Sequence, residues 1–163
     1  MQADGVIRRY AIGGAVGATF YLEPVATLDI DIFIDFRAKP GSLIASPEPI
    51  FDYLKTHGGR IEGEHILIAG WPIQFLPTSS PLLEEALAQA VEKDVAGTPA
   101  SVFTPEHLAA IALQTGRAKD KARLLQFIES GVLDLVRFQS IISRHGLEQV
   151  WQRFQKQFLG ENQ

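Results

Sequence analysis

The stretch Thr27-Leu-Asp-Ile-Asp-Ile-Phe-Ile-Asp-Phe36 decides the reading of this chain. Its even positions, Leu28, Ile30, Ile32, Ile34 and Phe36, are all apolar, and Asp29, Asp31, Phe33 and Asp35 alternate with them. A period of two is the pleat of a β-strand, because successive side chains leave opposite faces. Residues 27–36 are therefore expected to form a strand whose even face fills a core. Asp29 and Asp31 are expected to stand together on the other face, with Cα atoms roughly 7 Å apart. Two carboxylates at that spacing can lean onto one hard divalent cation such as Mg2+. That ion takes one or two protein carboxylates and completes its shell with water and phosphate oxygens. A half-exposed antiparallel strand alternates in the same way without binding anything, so the pair alone leaves both readings open.

Upstream, residues 8–12 read as a short strand running into Gly13-Gly14, and residues 15–22 as a helix stopped by Pro24. A double glycine between strand and helix lets the backbone approach a ligand closely, and free helix N–H groups suit a phosphate. The same glycines also suit an ordinary tight turn. Turn, helix and acidic strand in this order, about fifteen residues apart, are far more specific than either feature alone.

Downstream, residues 37–46 form a loop around Pro40 and Gly41, and residues 47–57 a helix ended by Gly58-Gly59. Residues 60–69 and 72–76 read as paired strands joined around Gly70 and Trp71. A helix is expected over 80–94, its apolar stripe made of Leu82, Leu83, Ala86, Leu87, Ala90 and Val91. A linker over 96–101 leads to Thr104, which should cap a helix carrying Pro105 at its first position. Helices then follow over 105–115, 118–129, 132–144 and 147–158, punctuated by Gly116, Gly131 and Gly146.

The expected class is α+β: a small mixed β-sheet with flanking helices, followed by a C-terminal helical bundle. Residues 1–100 would be the α/β core and 101–163 the helical part, packed with it as one compact unit. The large aromatics, Trp71, Phe75, Phe127, Phe138, Trp151, Phe154 and Phe158, read mostly as packing residues.

Composition narrows the chemistry. The 163 residues carry a net charge of −4, so no global basic field draws in nucleic acid. The absence of cysteine excludes disulfides, thiol catalysis and cysteine-bound zinc. His57, His65, His107 and His145 lack metal-ligand spacing and read as surface or loop residues. No apolar run approaches the roughly 20 residues of a membrane span, and the N-terminus lacks the order of a secretory signal, so a cytoplasmic location is expected.

Ile12-Gly-Gly-Ala-Val-Gly-Ala18, followed by Leu28-Asp-Ile-Asp-Ile-Phe33, resembles the GG/GS…DxD signature of minimal nucleotidyltransferases of the DNA polymerase beta superfamily. It is most similar to the branch of AbiEii/AbiGii-type toxins from abortive-infection and toxin–antitoxin systems. The resemblance implies a polymerase-beta-like sheet, an NTP donor, Mg2+ or Mn2+ on Asp29 and Asp31, and a Gly13-Gly14 turn cradling the triphosphate. Thr115-Gly-Arg-Ala-Lys-Asp120 resembles the basic R-x-KD stretch of such proteins, which would bring Arg117 and Lys119 to the β- and γ-phosphates. The implied acceptor is a hydroxyl on RNA, protein or a small molecule, and an antitoxin is an implied partner.

One position departs from the pattern. The family commonly supplies a third carboxylate from a neighbouring strand, where this chain has Gln74. An amide can ligate a metal weakly but cannot act as a general base. Asp35, Glu62 and Glu64 are the residues that could substitute. A nucleotide-binding or interaction module with weak turnover is therefore the alternative expectation.

Overall fold

The computed structural model describes residues 1–35 and 48–160. The first half runs β1 Tyr10–Ile12, α1 Gly14–Ala18, β2 Ile30–Ile34, α2 Glu48–Thr56, β3 Arg60–Glu62, β4 His65–Ile68 and β5 Trp71–Pro77. The second half runs α3 Pro81–Ala88, β6 Val91–Val95, β7 Thr98–Val102, α4 Pro105–Thr115, α5 Ala118–Glu129, α6 Leu135–Arg144 and α7 Glu148–Phe154, with a π-helical turn Gln155–Leu159. The described strands form one seven-stranded sheet in the order β3-β4-β5-β2-β1-β7-β6. Within it β2 is antiparallel to β1 and parallel to β5, and β1 is parallel to β7. The mixed α+β class expected from the sequence is the one observed.

The acidic strand is central, and both of its faces meet apolar layers. Ile34 is buried with Ile7, Ile50, Leu54 and Ile66 on the side covered by α2. Phe33 is buried on the opposite side, its ring centroid 4.9 Å from that of Phe103. That second layer continues through Leu108, Leu124, Phe127, Phe138 and Ile141 of the helical part. Removing a fully buried ring such as Phe127 would cost about 3–5 kcal/mol, because the cavity left cannot collapse completely.

Several boundaries differ from the sequence-based expectation. The strand begins at Ile30 rather than residue 27, so Leu28 does not enter the core and is 91% exposed. Phe36, the loop over 37–46 and the first residue of the helix expected over 47–57 lie outside the described residues.

The expected strand over 60–69 is two strands, β3 and β4, reversing at Gly63 with φ +62°. The helix expected over 80–94 stops at Ala88. Val91–Val95 and Thr98–Val102 instead pair as an antiparallel hairpin, where a helix end and a linker were expected. Its turn is Ala96-Gly97, both in the left-handed region at φ 51° and 83°. That two-residue geometry matches strand twist, whereas helix periodicity alone carries Ala90 and Val91 onto the α3 stripe.

The Thr104 cap agrees with expectation, and Ser80 caps α3. Thr104 Oγ1 accepts the His107 N–H at 3.4 Å, and Ser80 Oγ accepts the Leu83 N–H at 3.3 Å. The helix expected from 132 begins at Leu135, because Asp134 caps it. The last helix passes into the π-helical turn at Gln155. His107 is no surface residue. It is fully buried, with Nδ1 against Thr104 Oγ1 at 2.8 Å and Nε2 against Glu85 Oε1 at 3.3 Å. Trp71 is 62% exposed, which corrects its reading as a packing residue. No helix among the described residues is long and apolar enough to cross a membrane.

Candidate active site

Asp31 lies on β2 one residue inside its start, and Asp29 lies in the segment leading into it. Strand parity gives Asp31 the same face as Phe33, the face turned toward α4 and α5, and Asp29 stands close enough to act on the Asp31 carboxyl. The Gly13-Gly14 turn abuts this face. The Gly13 N–H donates to the Asp31 carbonyl at 3.0 Å. A Cβ on Gly13 would lie 2.5 Å from the Phe33 ring, and a Cβ on Gly14 would collide with Asp31 Oδ2. Gly14 also holds φ +57°, a conformation that favours glycine. The double glycine therefore has a local cause: it lets the backbone reach the acidic strand.

Burial raises the pKa of the Asp31 carboxyl, and the neighbouring Asp29 carboxylate raises it further. Lys119, Arg117 and Arg123 act in the opposite direction, so three cations of the α5 region face the pair. Thr27 Oγ1 donates to Asp29 Oδ1 at 3.3 Å, and His65 Nε2 stands 3.6 Å from Asp29 Oδ2.

The two expected phosphate-binding residues line different cavities beside the pair. Arg117, at the N-cap of α5, donates to both carboxylate oxygens of Asp120, at 2.6 Å and 3.3 Å. It lines a cavity of about 330 Å3 together with Gly14, Asp31, Gln74 and Asp120. Lys119 lines another cavity, of about 490 Å3, with Ala15, Thr27, Asp29 and Arg123.

Gln74 of β5 is the direct ladder partner of Asp31, so an amide occupies the strand position beside it. The residues considered as substitutes stand elsewhere. Asp35 follows the far end of β2, its carboxylate 3.6 Å from Arg8 Nη1. Glu62 lies on edge strand β3 and pairs with Arg60 Nη2 at 2.8 Å, and Glu64 sits in the β3–β4 turn. Among the described residues, no group of three His, Cys, Asp or Glu side chains is placed to hold a metal.

The donors present fit a hard cation with an incomplete protein shell. Asp29 and Asp31 could supply two anionic oxygen ligands, and their mutual repulsion is what a divalent cation would relieve. Phosphate oxygens and water complete such a shell for Mg2+.

Two neighbours of the pair were not singled out from sequence, His65 and Arg123. Arg123 sits four residues after Lys119 on the same helix, a spacing that places both on one face. Joining the strands over 60–69 and 72–76 around Gly70 and Trp71, rather than at Ala69-Gly70, hid the register that brings His65 beside Gln74.

No family model matches the sequence, and no curated protein is similar to it. Solved structures that share its architecture include the following two. An antigenic nucleotidyltransferase-like protein from Paracoccidioides brasiliensis superposes with a TM-score of 0.55 at 15% identity, over 74% of this chain and 66% of that one. The antibiotic-resistance factor ANT(2'')-Ia superposes with a TM-score of 0.54 at 13% identity, over 96% of this chain and 91% of that one. The match thus spans slightly less than two-thirds of the Paracoccidioides protein. At these identities the likeness is one of architecture: this chain has the nucleotidyltransferase fold.

Proposed function

We propose that the protein is a nucleotidyltransferase that moves a nucleoside monophosphate from an NTP to an acceptor hydroxyl. The observation that carries this reading is the acidic pair itself. Asp29 and Asp31 stand close enough to act on one another, Asp31 lies against the glycine turn, and Lys119, Arg117 and Arg123 supply positive charge beside it.

In this reading Asp29 and Asp31 hold Mg2+, or Mn2+ in its place, which supplies charge stabilisation on the phosphoryl oxygens. Lys119 and Arg123, in the cavity beside Asp29, bind the donor's phosphates by charge-assisted hydrogen bonds. Arg117 is shared between Asp120 and the cavity that reaches Asp31, so it orients the α5 start as well as adding positive charge. Gly13 and Gly14 bring the turn against the reacting centre. Fixing both substrates in this frame converts an encounter into an aligned in-line attack.

The acceptor hydroxyl belongs to RNA, protein or a small molecule. The motif resemblance to AbiEii/AbiGii-type toxins adds a toxin role, an antitoxin partner and a cytoplasmic setting to the proposal. One structural neighbour is an antibiotic-resistance factor, which keeps a small-molecule acceptor in the set. A second reading, an NTP-binding module with weak turnover, is favoured by the amide of Gln74 beside Asp31.

Incubation with each α-32P-labelled NTP, Mg2+ or Mn2+ and a fractionated cell extract tests the proposal beside an Asp29→Asn/Asp31→Asn control. Label passing into RNA, protein or a small molecule with wild type alone supports transfer and names the acceptor class. NTP–Mg2+ binding without transfer selects the second reading.

A further inference from the structure

We propose that His65 and Gln74 hold the attacking hydroxyl of the acceptor. The acceptor then reaches the acidic pair from the β4–β5 side, and the donor's phosphates come from the α5 side. The inference rests on the nucleotidyl-transfer reading and assigns a residue pair to the half of the reaction which that reading leaves open.

The argument starts from register. Asp31 pairs with Gln74 across the parallel β2–β5 ladder, so both side chains leave the same face. Ile66 pairs with Ile73 across the antiparallel β4–β5 ladder, which brings His65 beside Gln74. Ile66 is buried in the layer under α2, and its neighbour His65 therefore turns to the opposite face, that of Asp31. The row across three strands reads His65, Gln74, Asp31. The 3.6 Å separation of His65 Nε2 from Asp29 Oδ2 agrees with it.

Both side chains are available to a substrate. A separation of 3.6 Å is too long for a hydrogen bond, so the His65 Nε2 is not committed to Asp29. The imidazole is 35% exposed, and Gln74 borders the cavity that reaches Asp31 and Gly14. The charged groups of α5 near the pair are engaged or of the wrong kind. Asp120 is held by Arg117 and lies 3.6 Å from Arg123, and Lys119 can only donate. An imidazole and an amide can each accept the hydrogen of a hydroxyl and aim its oxygen lone pair.

Charge separates the two approaches. Lys119, Arg117 and Arg123 all act on Asp31 from the α5 side. On the β4 side, His65 is the cross-strand partner of Glu62, whose carboxylate is paired with Arg60 Nη2 at 2.8 Å, and Glu64 precedes His65 in the turn. A polyphosphate is drawn to the side that carries three cations, which leaves the other side for the acceptor.

In the step itself, the acceptor oxygen bonds to the α-phosphorus of the NTP. The bond from that phosphorus to the oxygen bridging to the β-phosphate breaks, pyrophosphate leaves, and the hydroxyl proton passes to solvent. His65 and Gln74 contribute alignment, and losing such alignment costs on the order of 100-fold.

The test measures α-32P transfer into the acceptor fraction identified by the assay above, together with NTP–Mg2+ binding, for His65→Ala, His65→Gln and Gln74→Ala. The expected result is transfer lowered about 10- to 100-fold by His65→Ala and by Gln74→Ala, with NTP–Mg2+ binding kept within about twofold. His65→Gln, which retains a hydrogen-bond acceptor, should recover part of the rate. Wild-type transfer left undiminished in both alanine variants overturns this inference alone. So does a loss of NTP–Mg2+ binding as large as the loss of transfer. A wild-type protein that transfers nothing overturns the underlying reading, and this inference with it.

Discussion

The backbone of Gly14 occupies the space immediately beside the carboxylate of Asp31, so close that a side chain at position 14 would collide with Asp31 Oδ2. The glycine turn and the acidic strand are therefore one feature. The Gly13 N–H bond to the Asp31 carbonyl fixes their spacing from the other side.

Gly14→Ala should accordingly damage function more than stability. At φ +57° a Cβ is strained by about 1–2 kcal/mol, a loss a domain of this size survives. Displacing the Asp31 carboxylate by even an ångström should lower transfer about 100-fold. Urea unfolding and label transfer on the same preparation would separate the two effects.

Lys119→Ala and Arg117→Ala should behave differently, because the two cations line different cavities. Losing Lys119 should weaken NTP binding about 10-fold with little change in melting temperature, as expected for one charge-assisted contact. Losing Arg117 should lower stability by about 1 kcal/mol, since the buried Asp120 loses its nearest donor. Equal effects on binding and stability in both variants would contradict this division.

The contact of α3 with the helical part carries a pH-dependent tie. Glu85 is held down to a pKa of about 2, first by its hydrogen bond from Arg144 and then by those from His145 and His107. Burial opposes this shift. The folded pKa lies below the ordinary glutamate value of 4.5, so the stabilisation is fully present above that value. It is lost as pH falls from there toward 2. Thermal melts at neutral pH and near pH 3 should show a smaller decrease for Glu85→Gln than for wild type. The variant should already be less stable at neutral pH.

The β6–β7 hairpin offers a test of fold rather than function. Ala96 adopts φ 51° without being glycine, so Ala96→Gly should raise stability by about 1 kcal/mol by relieving that strain. Gly97→Ala, at φ 83°, should lower it by a similar amount. Unchanged melting temperatures in both would contradict the turn geometry.

The site was more legible in the sequence than the sheet that carries it. The period of two through Asp29, Ile30 and Asp31, and the glycines ahead of it, report local backbone constraints that any strand and turn must obey. Caps such as Thr104 are local in the same way. By contrast, Val91–Val95 is a strand only because Val102 and its neighbours pair with it, and its apolar residues also continue a helical stripe. His65 read as a surface or loop residue because its approach to Asp29 depends on two successive registers across β4, β5 and β2. The separation of Arg117 from Lys119 depends on how α5 meets the sheet, which no sequence period encodes.

The central claim is that Asp29 and Asp31 bind a nucleotide through a divalent cation. It is tested most directly by NTP binding across a Mg2+ titration for wild type and Asp29→Asn. Wild-type affinity should rise with Mg2+. Asp29→Asn should stay folded, because it removes repulsion from Asp31, and its metal-dependent binding should vanish. The same Mg2+ dependence in both proteins would contradict the assignment of the site.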